Sequence, residues 1–205
     1  MGPVRVLAME LPTAGKNVYQ YRIQVGANIK YVTVEAGALD DDLLMNMALN
    51  FHNIFTSLEY SHPREWTEAH VSQDAVSGEL VKQYWASKLP GVQALWHPEI
   101  VDFLDIETKK QLSPLVQECE WKETFLTDYR PLGRRKRPSM IAKIARFRSD
   151  IGKIETETQI YQLLEGSDVA PKFLGHMHEA GWVNSFLLEK VQGRSAREPC
   201  GSFTA

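Results

Sequence analysis

Cysteine is nearly absent from this chain, with two in 205 residues, Cys119 and Cys200. They lie far apart and form neither a CxxC nor a Cys/His metal pattern, so at most one disulfide is available and a reduced setting is the simpler reading. No run is long and apolar enough to span a bilayer. The opening MGPVRVLAME lacks the apolar core of a signal peptide, and Val6 stands where a myristoylation site needs Ser or Thr. Nor is there an excess of one charge. The 23 Lys and Arg face 26 Asp and Glu, a net −3 that gives no global argument for nucleic acid or an anionic membrane. These absences point to an intracellular, cytoplasmic protein without a membrane partner. A hydrophobic content of 43% and a length of 205 residues allow one ordinary domain, or two small ones, with a real core.

Alternation dominates residues 3–35. A short run around Val4 and Val6 is followed by VYQYRIQV and IKYVTVEA, flanking Gly26-Ala27-Asn28, which predicts a hairpin with Tyr19, Tyr21, Ile23 and Val25 on one face. Without a basic companion surface, these aromatics read as core. Asp40, Asp41 and Asp42 favour a helix start over a metal site. Leu44, Met47, Ala48, Phe51 and Phe55 extend the helix over 40–58, and His52 falls between the stripe positions. Residues 59–90 read as a looser region with Pro63 and short helical turns, with a further helix over 76–88 carrying Val81, Tyr84 and Trp85 on one side. His62 and His70 lack the i, i+4 spacing of a zinc pair. From Trp96, WHPEIVDFLD is a strand, DIETKKQLSP is polar and turn-like, and VQECEWKETF is a second strand with Val116, Glu118 and Glu120 alternating against Gln117, Cys119 and Trp121. Between Arg130 and Arg148 stand six further basic residues (Arg134, Arg135, Lys136, Arg137, Lys143 and Arg146) and no carboxylate. GRRKRP reads as a solvated loop; a nuclear address stays open, and nucleic acid is not an expected partner.

Ile141, Lys143, Ala145 and Phe147 share one face of the next strand. A lysine among apolar neighbours is costly to bury without an opposite charge. In the following helix Ile154, Glu157, Ile160, Tyr161 and Leu164 form a stripe, which makes Glu157 the partner, whereas Glu155 joins Gln159 and Gln162 on the solvent side. On spacing alone, Lys143 snorkelling at a strand edge is an equal reading. The downstream segments favour the pair. KFLGH and residues 183–191 supply two strands around Gly181, and Phe186-Leu187-Leu188 breaks into the polar linker Glu189-Lys190-Val191. His176 and His178 read as strand residues.

The phrases IYQLLEG, APKFLGH and LLEKVQGR resemble those of fungal kinase-like proteins of the aminoglycoside phosphotransferase superfamily, over residues 96–196. The resemblance implies an α+β fold whose 96–196 segment is a kinase-like N-terminal lobe, an antiparallel sheet with one main helix. Residues 1–95 would form a hairpin-and-helix extension and 197–205 a disordered tail. It implies a nucleotide site in which Lys143 meets the phosphates, Glu157 positions Lys143, and Glu189, Lys190 and Val191 hold the adenine. ATP and Mg are the implied cofactors, bound weakly or not at all by this chain. The departures are specific. No glycine loop covers the phosphates between the two strands preceding Lys143, and no HGD-type catalytic loop follows GRSA, so no catalytic or metal-binding residue is assigned. The expectation is a truncated, inactive relative of an ATP-dependent phosphotransferase acting on a hydroxyl. The alternative is a non-catalytic kinase-like interaction module, with self-association through the exposed face of the lobe.

Overall fold

A computed structural model of the protein describes residues 4–45, 66–122 and 138–192. They build an α+β fold of two sheets. Alternating strands make the first: β1 (Val4–Glu10), β2 (Val18–Val25), β3 (Asn28–Glu35), β4 (Glu68–Gln73) and β5 (Leu80–Trp85) pair in chain order. The expected hairpin is present. Val25 pairs with Asn28 across a two-residue turn in which Gly26 takes a φ of 60°. Tyr19, Tyr21 and Ile23 join Val32, Val34, Leu44, Ala69 and Val71 in one core. β3 and β4 are parallel, which requires a crossover, and α1 (Asp41–Met45) begins it. Asp40 caps this start by accepting from the Asp42 N–H at 2.8 Å, and the Tyr19 hydroxyl donates to Asp41 at 2.9 Å. The remainder of the 40–58 helix, with His52, lies outside the described residues, as do His62, residues 133–137 of GRRKRP, Cys200 and the 197–205 tail.

Five sequence expectations are corrected. The 76–88 helix is the strand β5, and the loop assigned around His70 is its partner β4. Asp74 decides this locally: its carboxylate accepts from the Val76 and Ser77 N–H groups, and Gly78 turns back at a φ of 71°. The turn-like DIETKKQLSP is also a strand, β7 (Ile106–Ser113), whose polar side chains are tolerated because it is an edge strand. The 96–105 strand shrinks to β6 (Ile100–Asp102) followed by a single 3-10 turn capped by Asp102. Lastly, neither sheet is purely antiparallel: β6 runs parallel to its neighbour β10 (Phe173–Glu179), as β3 does to β4.

The second sheet adds β8 (Val116–Trp121), β9 (Met140–Ile144) and β11 (Trp182–Glu189), in the order β6-β10-β11-β9-β8-β7. The helix α2 (Ile151–Leu163) connects β9 to β10 and covers one face through Ile154, against Ala145, Phe173, Phe186 and Leu188. Met140, Ala142, Ile144, Met177 and Leu187 pack on the other face, where Leu7 and Ile29 of the first sheet join them. With both faces covered, β11 is buried from Trp182 to Leu188.

The two sheets meet at a buried charge cluster. Arg22, of opposite parity to Tyr21 and Ile23 on β2, points away from the first core and forms an ion pair with Glu179; their side chains are 1% and 2% exposed. Tyr31 donates to the same carboxylate at 2.8 Å, and its ring meets Trp182 edge-on at 5.4 Å. Burial alone would pull the Arg22 guanidinium down, but Glu179 more than offsets it and its pKa is raised.

Candidate functional site

The face of β9 beneath α2 holds the sequence-predicted lysine. Register places Val116 of β8, Lys143 of β9 and Phe186 of β11 side by side, and one residue pair along the strands stand Glu118, Ile141 and Leu188. Lys143 and Glu157 form an ion pair, 26% and 34% exposed, so the ammonium group is anchored yet open to solvent. Tyr161, one turn along α2, lies close enough to feel both charges. Burial raises its phenol pKa, Lys143 lowers it and Glu157 raises it.

The periodicity that selected Glu157 needs correction at its margins. Ile154 and Thr158 are the fully buried positions, whereas Ile160, a member of the stripe, is 47% exposed. Glu155 does not simply face solvent. It accepts from the backbone N–H groups of Gln93 and Ala94 at 2.6 and 3.2 Å, tying the segment before β6 to the helix. A carboxylate reaching unpaired amides in a loop some sixty positions earlier leaves no local signal.

The other predicted residues fall at the end of β11. Glu189 pairs with Met140 and exchanges two bonds with Lys172, donating its N–H to the carbonyl and accepting from the N–H with its side chain, each at 2.9 Å. Lys190 forms an ion pair with Glu118 of β8, which holds that carboxyl below its ordinary range. Val191 is 59% exposed. The linker therefore lies beside the face of β8 and β9 that carries Lys143. Contrary to expectation, β6 does not precede β9 in the sheet as part of a cover; it is the opposite edge, and β7 with β8 forms the hairpin beside β9. That hairpin turns at Pro114-Leu115.

His176 lies in β10, as its alternation predicts, and its burial there has no signal in the neighbouring sequence. It is fully buried, its Nε2 accepts from the His97 N–H at 3.4 Å, and its Nδ1 has no partner among the described residues. Burial first, then His97, lowers its pKa to about 4. His178 Nδ1 accepts from the Gly181 N–H at 3.2 Å. His70 pairs with Glu35 at 3.0 Å. Cys119 is buried, its thiol pushed up to about 12 by burial, which makes it inert. Among the described residues, no helix is long and apolar enough to cross a membrane. The chain matches no protein-family model, no curated protein and no solved structure.

Proposed function

We propose that the second sheet with α2 is a kinase-like small lobe that binds the phosphates of a nucleotide, as part of a phosphotransferase directed at a hydroxyl. The observation that carries this reading is the Lys143–Glu157 ion pair across β9 and α2. The glutamate uses one of the three ammonium donors and fixes the direction of the lysine, leaving donors for phosphate oxygens. Support comes from the arrangement around it. A hairpin, the lysine strand, a helix and a second hairpin follow in chain order, and Val116, Ile141 and Leu188 give the same face an apolar floor next to the 189–191 linker. Bound ATP would supply the transferable phosphoryl group; the roles of this chain are to anchor phosphate with Lys143 and to seat the base against the linker backbone. Among the described residues, no group of three or more His, Cys, Asp or Glu could hold a metal ion.

Titration of the 205-residue chain with a fluorescent ATP analogue tests this. Weak saturable binding, lost in Lys143→Ala and in Glu157→Ala, is the expected result, with no turnover. Binding that is indifferent to Lys143→Ala refutes the phosphate role. A second reading, a non-catalytic interaction module, is favoured by the uncovered apolar groups on and after α2: Ile160, Leu163 and Val169, the last two at least 80% exposed. An intact chain that binds no nucleotide but self-associates through that face supports it.

A further inference from the structure

Past the C-terminal end of α2 lies a cavity of about 550 Å³ that neither Lys143 nor Glu157 lines. Four rings line it: Trp96, His97, Tyr161 and Phe173. Phe173 is their hub, with centroids 4.6 Å from Trp96, 5.4 Å from His97 and 5.9 Å from Tyr161, the planes inclined by 44° to 51°. Tyr161 packs against Phe186 at 5.6 Å between centroids, and the other three walls are held from behind. Trp96 donates its indole N–H to the Thr158 carbonyl at 3.1 Å, His97 Nδ1 accepts from the Glu99 N–H at 3.1 Å, and Phe173 stacks on Phe186 at 5.2 Å. The rings are thus fixed in place before any ligand arrives.

The rim is acidic. Glu165, Asp168 and Glu189 line the cavity against one cation, Lys172. Among the described residues, the Glu165 and Asp168 side chains have neither an ion-pair nor a hydrogen-bond partner. Leu164 and Glu165 bring the carbonyl end of a 13-residue helix to the same rim, where the backbone dipoles favour positive charge. The aromatic lining beside these carboxylates suits an organic cation better than a strongly hydrated inorganic one.

We propose that this cavity binds an organic cation whose charge is spread over methyl groups, a quaternary or trimethylated ammonium. Aromatic faces attract such a cation, and its weak hydration lowers the cost of leaving water. The carboxylates and the helix end add attraction without having to chelate. The volume is that of a small-molecule site and exceeds a bare tetramethylammonium ion, so the charged head carries a further substituent.

Tetramethylammonium, titrated into the full chain at about pH 8 where histidine is neutral, is compared by calorimetry with tert-butanol, a neutral probe of similar size, at constant ionic strength. The cation binds about tenfold more tightly than the alcohol. Glu165→Gln with Asp168→Asn, both exposed and harmless to the fold, weakens the cation by about three- to tenfold and leaves the alcohol unchanged. Tyr161→Leu, checked for an unchanged unfolding transition, also weakens the cation selectively. Lys143→Ala leaves cation binding intact, which separates this site from the nucleotide reading. Equal affinity for the two probes, or cation binding indifferent to both the carboxylate and the Tyr161 variants, overturns the proposal.

Discussion

Glu179→Leu strands a guanidinium between two sheets. Arg22 is 1% exposed, loses its only anionic partner among the described residues, and stays over the Phe103 ring 4.6 Å away, while the Tyr31 hydroxyl loses its acceptor. Breaking a buried pair from one side costs about 3–5 kcal/mol, because the remaining charge is desolvated without compensation. Arg22→Met falls at the lower end, near 3 kcal/mol by the same reasoning, since Tyr31 continues to satisfy one oxygen of Glu179. The double variant removes both charges and leaves only the Tyr31 hydroxyl orphaned, a cost of about 1–2 kcal/mol. The singles therefore sum to far more than the double, with a coupling of at least ~2 kcal/mol. Urea unfolding of the four proteins in the cycle measures this directly. At this chain length each single also lowers the thermal midpoint by roughly 6–20 °C, at about 2–4 °C per kcal/mol. Singles that cost less than about 1 kcal/mol, or that add to give the double, would show that water reaches the pair and that the sheets are held by apolar packing alone.

Ile154→Ala should cost about 2–5 kcal/mol in urea unfolding, while Leu163→Ala, nine positions along the same helix but 85% exposed, should stay within ~0.5 kcal/mol. His176 gives a pH signature. Its folded pKa of about 4 lies below the ordinary 6.5, so the unfolded chain binds the extra proton, and stability is full above about pH 6.5 and falls as the pH drops toward 4. His176→Phe should flatten that part of a plot of urea midpoint against pH, and an unchanged slope would assign it elsewhere. Ala180 takes a φ of 48° in the β10–β11 turn beside Gly181 at 83°, so Ala180→Asn should raise the thermal midpoint by the equivalent of about 0.5–1 kcal/mol and Ala180→Val should lower it.

Alternation and spacing made much of this legible. Period-two runs located β2, β3 and β9, and one helical stripe chose Glu157 over Glu155. Where the reading failed, the deciding interaction was distant or carried by a turn. VKQYW fits a short helix as well as a strand, and only the Asp74 turn and the partner β4 settle it. KKQLS looks like a loop because an edge strand may be polar on both faces, and its pairing to β8 is invisible in its own residues. The parity of Arg22 within β2 marked it as facing the other way from Tyr21, but nothing local indicated that Glu179 would be waiting there. Glu155 and His176 escaped for the same reason: their partners are backbone amides of the 93–97 segment.

The separation of 157 residues between Arg22 and Glu179 sets an order of events during synthesis. At about 5–20 residues per second, the first sheet, complete only at Trp85, waits roughly 5–20 s before Glu179 emerges. Throughout that interval the face that will be covered carries a hydrated guanidinium amid Leu7, Ile29 and Tyr31. An inward-pointing charge of this kind discourages a nascent sheet from stacking on a neighbouring copy. The largest fully buried side chain among the described residues thus serves, until Glu179 arrives, as the guard of an unfinished surface.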